Sequence, residues 1–370
     1  MNILVILVIL LLICLFIVLI IVGYDIYYKL NTWQKRIHIG RWSDFEEWYV
    51  AISKCANKWL KKTPIVSKSD NERLILIDIF NNNHVSHTIQ SWQVAGIITG
   101  LKLNKVDIPN SKNVDVASTA FAILNNASSY MALKPIMDDV YNLILDIKGS
   151  NETIPYRKEA HHIRFVDTIG LVCPFLVKYG ISYRCVDAIN LAEKQIREYS
   201  TFINPQTKTP PHAFNLKFNV PMGVFDWGRG IGWYILGIVE CYRIISPSPF
   251  KDFLLKEIVT LSESLIKYQL QSGGFASAIF NTNMPSESSA TILIGLLFIE
   301  CFYITHDPKF FNATSKIISQ LMSVTQRNGA IDMCQGDTKG IGNYSTKYTY
   351  MPFAQGFAIV LAERYKNASS

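Results

Sequence analysis

Asp226-Trp-Gly-Arg-Gly-Ile-Gly-Trp-Tyr234 is the most informative stretch of this sequence, because three glycines and one arginine lie between two tryptophans. Glycine allows close backbone approach to a ligand, tryptophan offers a flat apolar face, and arginine presents a fork of donors that matches a carboxylate. These residue types favour a pocket for a sugar acid. A purely structural alternative is a glycine-rich turn before a buried helix over Trp233–Cys241. The spacing is not that of a dinucleotide-binding G-x-G-x-x-G loop.

Four segments, in order along the chain, resemble motifs of one enzyme family. The central stretch resembles the W-x-R-G-N-G-W signature of glycoside hydrolase families 88 and 105, the unsaturated glucuronyl and rhamnogalacturonyl hydrolases. The other three resemble that family's D-x-L-Y-M-x-x-P-F-L, H-G-x-D and E-[ST]-S-A-T-A motifs, and they are Arg164–Leu176, His212–Asn215 and Glu287–Thr291. The resemblance extends over roughly Asp44–Arg364. It implies an (α/α)6 toroid, a ring of six helix hairpins.

The composition excludes some classes of partner. A net charge of +7 without a basic run argues against nucleic-acid binding and is compatible with an anionic oligosaccharide or polysaccharide. The seven cysteines are odd in number and form no C-x-x-C motif. Free thiols in a reducing compartment are therefore predicted.

The N-terminus carries an apolar run of twenty residues, Ile3–Val22. This length suffices for a helix to cross a bilayer, which takes about 20 residues. The run lacks a positive leader and a small-residue cleavage site, which argues against a signal peptide. We predict a transmembrane anchor over residues 1–23 and a juxtamembrane linker over residues 24–43. The basic residues follow the span, so the positive-inside rule favours a cytoplasmic domain, although the opposite insertion stays open.

The remainder of the chain, residues 44–370, has the periodicity of helices and little strand alternation. Eleven segments are predicted to be helical, with a capping box at Ser43-x-x-Glu46 before the first of them. The predicted helices cover 45–60, 89–99, 116–125, 140–147, 163–177, 186–199, 232–245, 253–270, 290–303, 310–325 and 352–365. Periodicity alone supports an all-α domain, and the resemblance narrows it to a six-hairpin toroid.

Asp167 is the first candidate for catalysis. It lies in an apolar segment, Ile163–Leu176, where burial would raise its pKa and suit it to general acid–base work. The structural alternative is an aspartate inside a helix that pairs with Arg164 or a neighbouring helix. The resemblance favours catalysis, because Asp167 matches the family's catalytic aspartate.

Asp115 is the second candidate. The segment Asn113–Ala117 resembles the family's I-D-D-V-A motif, whose second aspartate is an active-site carboxylate. Because Asp115 begins a predicted helix, it is equally suited to be an N-cap. If the match between this segment and the motif is shifted along the sequence, Asp107 is the candidate instead of Asp115.

The resemblance also implies the residues that bind substrate. Arg229 matches a substrate-contacting arginine, a carboxylate clamp, and Trp233 matches a tryptophan that stacks on the sugar ring. Trp227 is a further candidate, and His212 is either a hydrogen-bonding partner of the sugar or an isolated surface histidine. The pair His161-His162 does not suit a metal, since adjacent residues on a helix point apart and no third ligand is evident. No metal and no cofactor are therefore expected.

The chain departs from the family pattern at a few positions. Ile231 replaces an asparagine, Gly170 and Leu171 replace Tyr-Met, and Ala213 and Asn215 replace the Gly and Asp of H-G-x-D. We expect three of these changes to remove polar or aromatic groups from the pocket wall, and so to alter the substrate.

Two functions of different classes follow. The resemblance implies a hydrolase that hydrates the C4–C5 double bond of an unsaturated uronic acid, with an aspartate as the proton donor. The alternative, suggested by the anchor, is a membrane-bound polysaccharide biosynthesis or assembly protein that binds a glycan without hydrolysis. A lyase or epimerase with Tyr234 or His212 as base is a third hypothesis. An enzyme requires Asp167 and Asp115 to face one cavity.

Overall fold

The computed structural model describes residues 3–64, 66–84, 91–104 and 113–369. Within these ranges it contains thirteen α-helices and five short strands. The helices are α1 (Ile3–Arg36), α2 (Phe45–Lys61), α3 (Ile75–Phe80), α4 (Ser91–Gly100), α5 (Val116–Asn126), α6 (Lys134–Ile147), α7 (Asp167–Tyr183), α8 (Val186–Ser200), α9 (Gly228–Ile244), α10 (Pro249–Leu265), α11 (Ser288–Thr305), α12 (Pro308–Ser323) and α13 (Pro352–Ser369). The strands are β1 (Ile163–Phe165), β2 (Ala213–Asn215), β3 (Val220–Met222), β4 (Cys334–Gln335) and β5 (Tyr348–Thr349).

Six helices form a closed inner ring in the order α4, α5, α7, α9, α11 and α13, and α13 packs back on α4. Helices α2, α6, α8, α10 and α12 pack on the outside of this ring. The sequence of α11 explains its inner position, because every residue from Ser288 to Cys301 is buried. Outer helices such as α12 instead bury one apolar stripe. The predicted all-α six-hairpin toroid is thereby confirmed.

Glycine allows two pairs of inner helices to approach closely. A Cβ on Gly356 of α13 would lie 1.9 Å from the carbonyl oxygen of Gly96 in α4, and one on Gly170 of α7 would lie 2.5 Å from that of Trp233 in α9. Larger side chains at Gly170 would therefore separate α7 from α9. The glycine at this departure from the family pattern serves helix packing.

Three local predictions need correction. The first helix of the toroid is capped by Asp44, whose Oδ1 accepts from Glu47 N at 2.8 Å, so the expected capping box at Ser43 and Glu46 is wrong. Residues 163–165 form a strand, because β1 pairs antiparallel with β2, and α7 begins only at Asp167. Helix α3 was not predicted, because its 6 residues are too few to show a helical period of apolar residues.

Helix α1 is 34 residues long, and its N-terminal apolar part is exposed. It is one of two helices among the described residues that are long and apolar enough to cross a membrane; the other is α11, which is mostly buried in the inner ring. Beyond the apolar run, Arg36 joins α1 to the toroid. Its Nε and Nη2 donate to the two carboxylate oxygens of buried Asp332, each at 2.8 Å, in a bidentate ion pair. Residues 24–36 are therefore helical and attached to the domain.

All seven cysteines are free, as predicted, and five of them are buried in the domain. Their positions inside helices and at β4 match the expectation of buried thiols.

The start of α11 depends on one buried carboxylate. Glu287 is fully buried and accepts from the backbone of Ser289 and Ala290, from Ser289 Oγ, and from Gln335 N at 2.7–3.0 Å. It thus satisfies the free N–H groups of an inner helix and ties the residues of β4 to it.

We predict that Glu287→Ala lowers the free energy of unfolding by about 2–4 kcal/mol, because four buried donors lose their acceptor. The control is Glu263→Ala, which removes a half-exposed ion pair with Lys309 and should cost less than about 1 kcal/mol. Urea unfolding of the detergent-solubilised full chain measures both. Equal shifts of the midpoint would contradict the capping role.

Candidate active site

One cavity of about 490 Å³ opens at the end of the ring where inner helices begin. The start of α5 carries Asp115, the start of α7 carries Asp167, and the start of α9 follows Trp227. The six residues predicted for the site all line this cavity, and they are Asp115, Asp167, His212, Trp227, Arg229 and Trp233.

Asp167 is the first residue of α7, and its side chain, 21% exposed, lines the cavity. Its Oδ2 is buried and has no hydrogen-bond partner among the described residues. Burial raises the pKa of this carboxyl to about 7, despite the nearby positive charge of Arg229. Arg164 does not pair with it: the Arg164 guanidinium binds Thr153 Oγ1 and the carbonyl of His161. The expectation of a helix-interior aspartate paired with Arg164 is therefore wrong.

Asp115 occupies the N-cap position of α5, but its side chain makes no cap hydrogen bond. Its Oδ1 is buried without a partner among the described residues, and burial raises the pKa of the carboxyl. The residue lines the cavity, and hydrogen bonds from Ser91 and from the backbone of Val116 oppose the rise of its pKa. Asp107, the alternative, lies outside the described residues.

His212 is buried, so the alternative of an isolated surface histidine is wrong. Its Nδ1 lies 3.0 Å from Tyr344 Oη, and its Nε2 lies 4.0 Å from Asp167 Oδ2. Burial, with the nearby charge of Arg229, lowers the pKa of His212 to about 4, so the ring is neutral near pH 7. If Tyr344 donates to Nδ1, the N–H at Nε2 is directed towards Asp167.

The two tryptophans form opposite parts of the wall. Trp227 stacks on Tyr344, with ring centroids 4.9 Å apart, and donates to Gln335 Oε1 at 3.1 Å. Trp233 meets Trp92 of α4 edge-on at 5.5 Å. Each indole is only 3% exposed, and Tyr344 covers one face of Trp227, so the two side chains form a fixed apolar part of the cavity wall.

Arg229 is buried and already engaged. Its Nη1 donates to the carbonyl of Gln335 at 2.7 Å, and its Nη2 donates to the carbonyl of Gly336 at 2.6 Å. The guanidinium therefore holds the loop after β4 against the cavity. Because two of its nitrogens already donate to carbonyls, Arg229 has fewer N–H groups left for its expected role of binding a substrate carboxylate.

Several lining residues were missed by the sequence analysis. Tyr156 and Arg157 come from the segment before β1, Trp92 lies in the first turn of α4, and Asp337–Lys339 follow β4. Arg157 is exposed at the cavity, unlike Arg229. Trp92 lies in a predicted helix, but nothing in the sequence marked it for the site. The other residues lie in segments without a helical or strand period.

The departures from the family pattern lie mostly outside the cavity wall, which corrects the expectation. Asn215 accepts from the backbone of Lys217 and Phe218 in a turn, and Ile231 is buried in the core. Gly170 lies at the crossing of α7 and α9. Leu171 alone among these departures lines the cavity.

The cavity suits an anion. The helices α5, α7 and α9 direct their N-termini towards it, and a helix N-terminus favours negative charge. Arg157, Arg229 and Lys339 add side-chain cations. No group of three potential metal ligands occurs in the described parts of the chain. Fold and site together define a six-hairpin helical toroid with a charged cavity. This cavity is lined by the cations of Arg157, Arg229 and Lys339 and by the carboxyls of Asp115, Asp167 and Asp337.

Comparisons with known proteins agree with this class. The sequence model of Glycosyl Hydrolase Family 88 matches residues 80–368. Because the match covers most of the chain, the protein belongs to this family. Comparison with curated proteins returned no match.

Solved structures share the fold at low identity. A possible member of the GH105 family from Salmonella enterica subsp. enterica serovar Paratyphi A str. ATCC 9150 is 14% identical with a TM-score of 0.74, over 89% of this chain and 96% of that chain. The unsaturated glucuronyl hydrolase from Bacillus sp. GL1, described as responsible for the degradation of glycosaminoglycan, is 14% identical with a TM-score of 0.66, over 88% and 97%. A family 105 glycoside hydrolase of C. acetobutylicum ATCC 824 is 12% identical with a TM-score of 0.61, over 93% and 99%.

The raised pKa of Asp167 has a consequence for stability. The folded protein holds this proton up to about pH 7, whereas an unfolded aspartate loses it near pH 4. The buried carboxyl therefore contributes stability that is present below about pH 4 and is lost as the pH rises to about 7.

We predict that Asp167→Asn removes this loss, so that the variant gains a few kcal/mol over the wild type between pH 4 and pH 8. The control is Asp139→Asn, on an exposed part of α6, which should follow the wild type. Thermal unfolding across this pH range measures the difference. Parallel stability curves for wild type and Asp167→Asn would contradict the buried, protonated carboxyl.

Proposed function

We propose that this protein is a membrane-tethered glycoside hydrolase that hydrates the C4–C5 double bond of an unsaturated uronic acid at the end of an oligosaccharide. One observation carries the proposal: Asp167 and Asp115 both line one cavity, and each has a buried carboxyl oxygen without a hydrogen-bond partner among the described residues. Family membership and the fold shared with an unsaturated glucuronyl hydrolase support it.

Asp167 acts first as the acid. With a pKa of about 7 it is about half protonated at pH 7 and largely protonated below, and it transfers this proton to C4 of the vinyl ether. Positive charge develops at C5 and the ring oxygen. Water adds at C5 and returns a proton to the Asp167 carboxylate, which restores the acid. The resulting hemiketal opens, and the bond to the neighbouring sugar is released without direct attack on it.

The neighbouring groups prepare this step. Asp115, as the partner carboxyl, orients the water or a sugar hydroxyl. Neutral His212, with its Nε2 4.0 Å from Asp167 Oδ2, adds no positive charge that would lower the pKa of the carboxyl. Trp227 and Trp233 supply an apolar part of the wall beside the sugar ring. The helix N-termini and the cavity cations hold the uronate carboxylate.

The substrate carboxylate needs a cation with free donors. Two of the nitrogens of Arg229 already bind loop carbonyls, whereas Arg157 reaches the same cavity from an exposed position. We assign carboxylate binding to Arg157, with Arg229 as a buried background charge.

The proposed anchor supports a second candidate function. A membrane-bound glycan-assembly protein would explain why an oligosaccharide-binding toroid carries an apolar helix such as α1. The shared cavity of the two carboxyls favours the hydrolase. In both cases we propose α1 as a single-pass anchor, with the domain on the cytoplasmic side because the basic residues follow the span.

We predict that the full chain in detergent consumes unsaturated uronyl disaccharides, followed as loss of the ultraviolet absorbance of the conjugated double bond. Asp167→Asn should lower the rate at least about 100-fold, because the proton donor is removed. The wild-type rate should fall as the pH rises through about 7, where Asp167 loses its proton. The control Asp139→Asn should keep the wild-type rate. No consumption of any disaccharide by a folded wild-type protein would favour the glycan-binding alternative.

We further predict that Arg157→Ala raises KM about tenfold and leaves kcat within about twofold, because it removes binding shared by substrate and transition state. Arg157→Lys should recover part of the loss, since the charge remains. Steady-state kinetics over a range of substrate concentrations separates the two constants. A fall in kcat with unchanged KM would assign Arg157 to the chemical step instead.

A further inference from the structure

Helix α1 joins the toroid along one face, and its contacts can be ordered by their distance from the apolar run. Asp25 accepts from the backbone N–H groups of Leu74 and Ile75 at 2.8 and 3.0 Å, at the start of α3. Tyr28 accepts from Lys347 Nζ at 2.9 Å, and Arg36 binds Asp332. At a rise of about 1.5 Å per residue, Asp25 lies about 5 Å beyond Val22, and Arg36 lies about 21 Å beyond it. Of these contacts, the one to α3 is nearest to the span.

Helix α3 presents an apolar ridge to the outside. Ile77 and Phe80 lie three residues apart on α3 and are 41% and 78% exposed, and Leu74, the N-cap residue just before the helix, is 55% exposed. Ile75, on the other side of the helix, is completely buried. The ridge is thus an outer face of α3 that the toroid does not cover. Its apolar side chains are exposed and can be buried by an apolar partner.

The ridge belongs to a folded segment. Asp78 of α3 accepts from Ser69 Oγ at 2.8 Å and from Asn71 Nδ2 at 2.7 Å, and the His84 carbonyl accepts from Lys68 N at 2.7 Å. With Asp25 on its first N–H groups, α3 is fixed at both ends. Its exposed side chains are therefore displayed in a set position relative to α1.

We propose that the ridge formed by Leu74, Ile77 and Phe80 is a second membrane contact, which inserts into the lipid headgroup region of the bilayer that α1 spans. The depth agrees, because apolar side chains of interfacial helices reach about 5–10 Å into the boundary of headgroups and acyl chains. The exposed Arg73 beside the ridge suits lipid phosphates. The inference rests on the proposed anchoring by α1 and is independent of the proposed catalysis.

A second membrane contact would fix the orientation of the site. Lys339 lines the cavity, and it also donates to the Lys68 carbonyl at 2.7 Å and pairs with Asp70 at 3.0 Å. The segment that carries the ridge therefore also holds the rim of the cavity. An enzyme held in this way acts on glycan at the membrane surface, because the second contact fixes the tilt of the domain relative to the bilayer.

The test uses the full chain, one copy per lipid nanodisc, with spin labels on single cysteines. The native Cys14, within the apolar run, reports on the span. For the other labels, Cys14→Ala and Cys185→Ala leave only buried thiols, and Phe80→Cys or Ile77→Cys carries the label. The matched control is Phe218→Cys, because Phe218 is 66% exposed and lies in the β2–β3 turn.

We expect labels at 80 and 77 to show a several-fold lower collision rate with a water-soluble nickel reagent, and a higher one with oxygen, in nanodiscs than the label at 218. A label at 80 that is as accessible to nickel as the label at 218, while the label at Cys14 lies in the hydrocarbon, would overturn the ridge contact and leave the anchor. A nickel-accessible label at Cys14 would overturn the span and the ridge contact together. Shielding of position 80 in detergent, at a protein concentration where chains associate, and its absence in single-copy nanodiscs would assign the ridge to a second copy and overturn the lipid contact.

Discussion

One chain of buried polar contacts holds the loop after β4 in place. This loop in turn contacts the inner ring, the cavity and the segment before α3. The carboxylate of Glu287 caps α11 and accepts from Gln335 N, and the carbonyls of Gln335 and Gly336 accept from Arg229 of α9. Two inner helices thus hold the loop from both sides. Because a buried polar group without its partner is costly, this arrangement permits one position of the loop.

The same loop joins three functional parts of the molecule. It brings Asp337, Thr338 and Lys339 to the cavity, and Lys339 binds the segment before α3. Just before β4, Asp332 binds Arg36 of α1. Helix α1, the cavity rim and the inner ring are therefore parts of one connected structure.

The cavity combines two opposed electrostatic demands. Helix N-termini and cations favour an anionic ligand, whereas burial keeps the pKa of Asp167 high. Desolvation prevails at Asp167 because its Oδ2 receives no hydrogen bond from the described residues. The site can consequently hold a proton donor beside groups that attract a carboxylate. Such an unsatisfied carboxyl is a cost to stability that a functional site tolerates.

The sequence by itself determined the helical class, the approximate bounds of most helices and the membership of Asp115, Asp167, His212, Trp227, Arg229 and Trp233 in one site. Helical periodicity and four ordered motifs are local properties, and they are readable without contacts. Only the tertiary structure decided that 163–165 is a strand, since its partner is β2, and that Arg229 holds a loop while Arg157 reaches the cavity. It also decided that Gly170 and Ile231 serve packing and not the pocket wall. These outcomes depend on which distant segments meet, and the energy of burial and of hydrogen bonding between such segments has no signature within a short stretch of sequence.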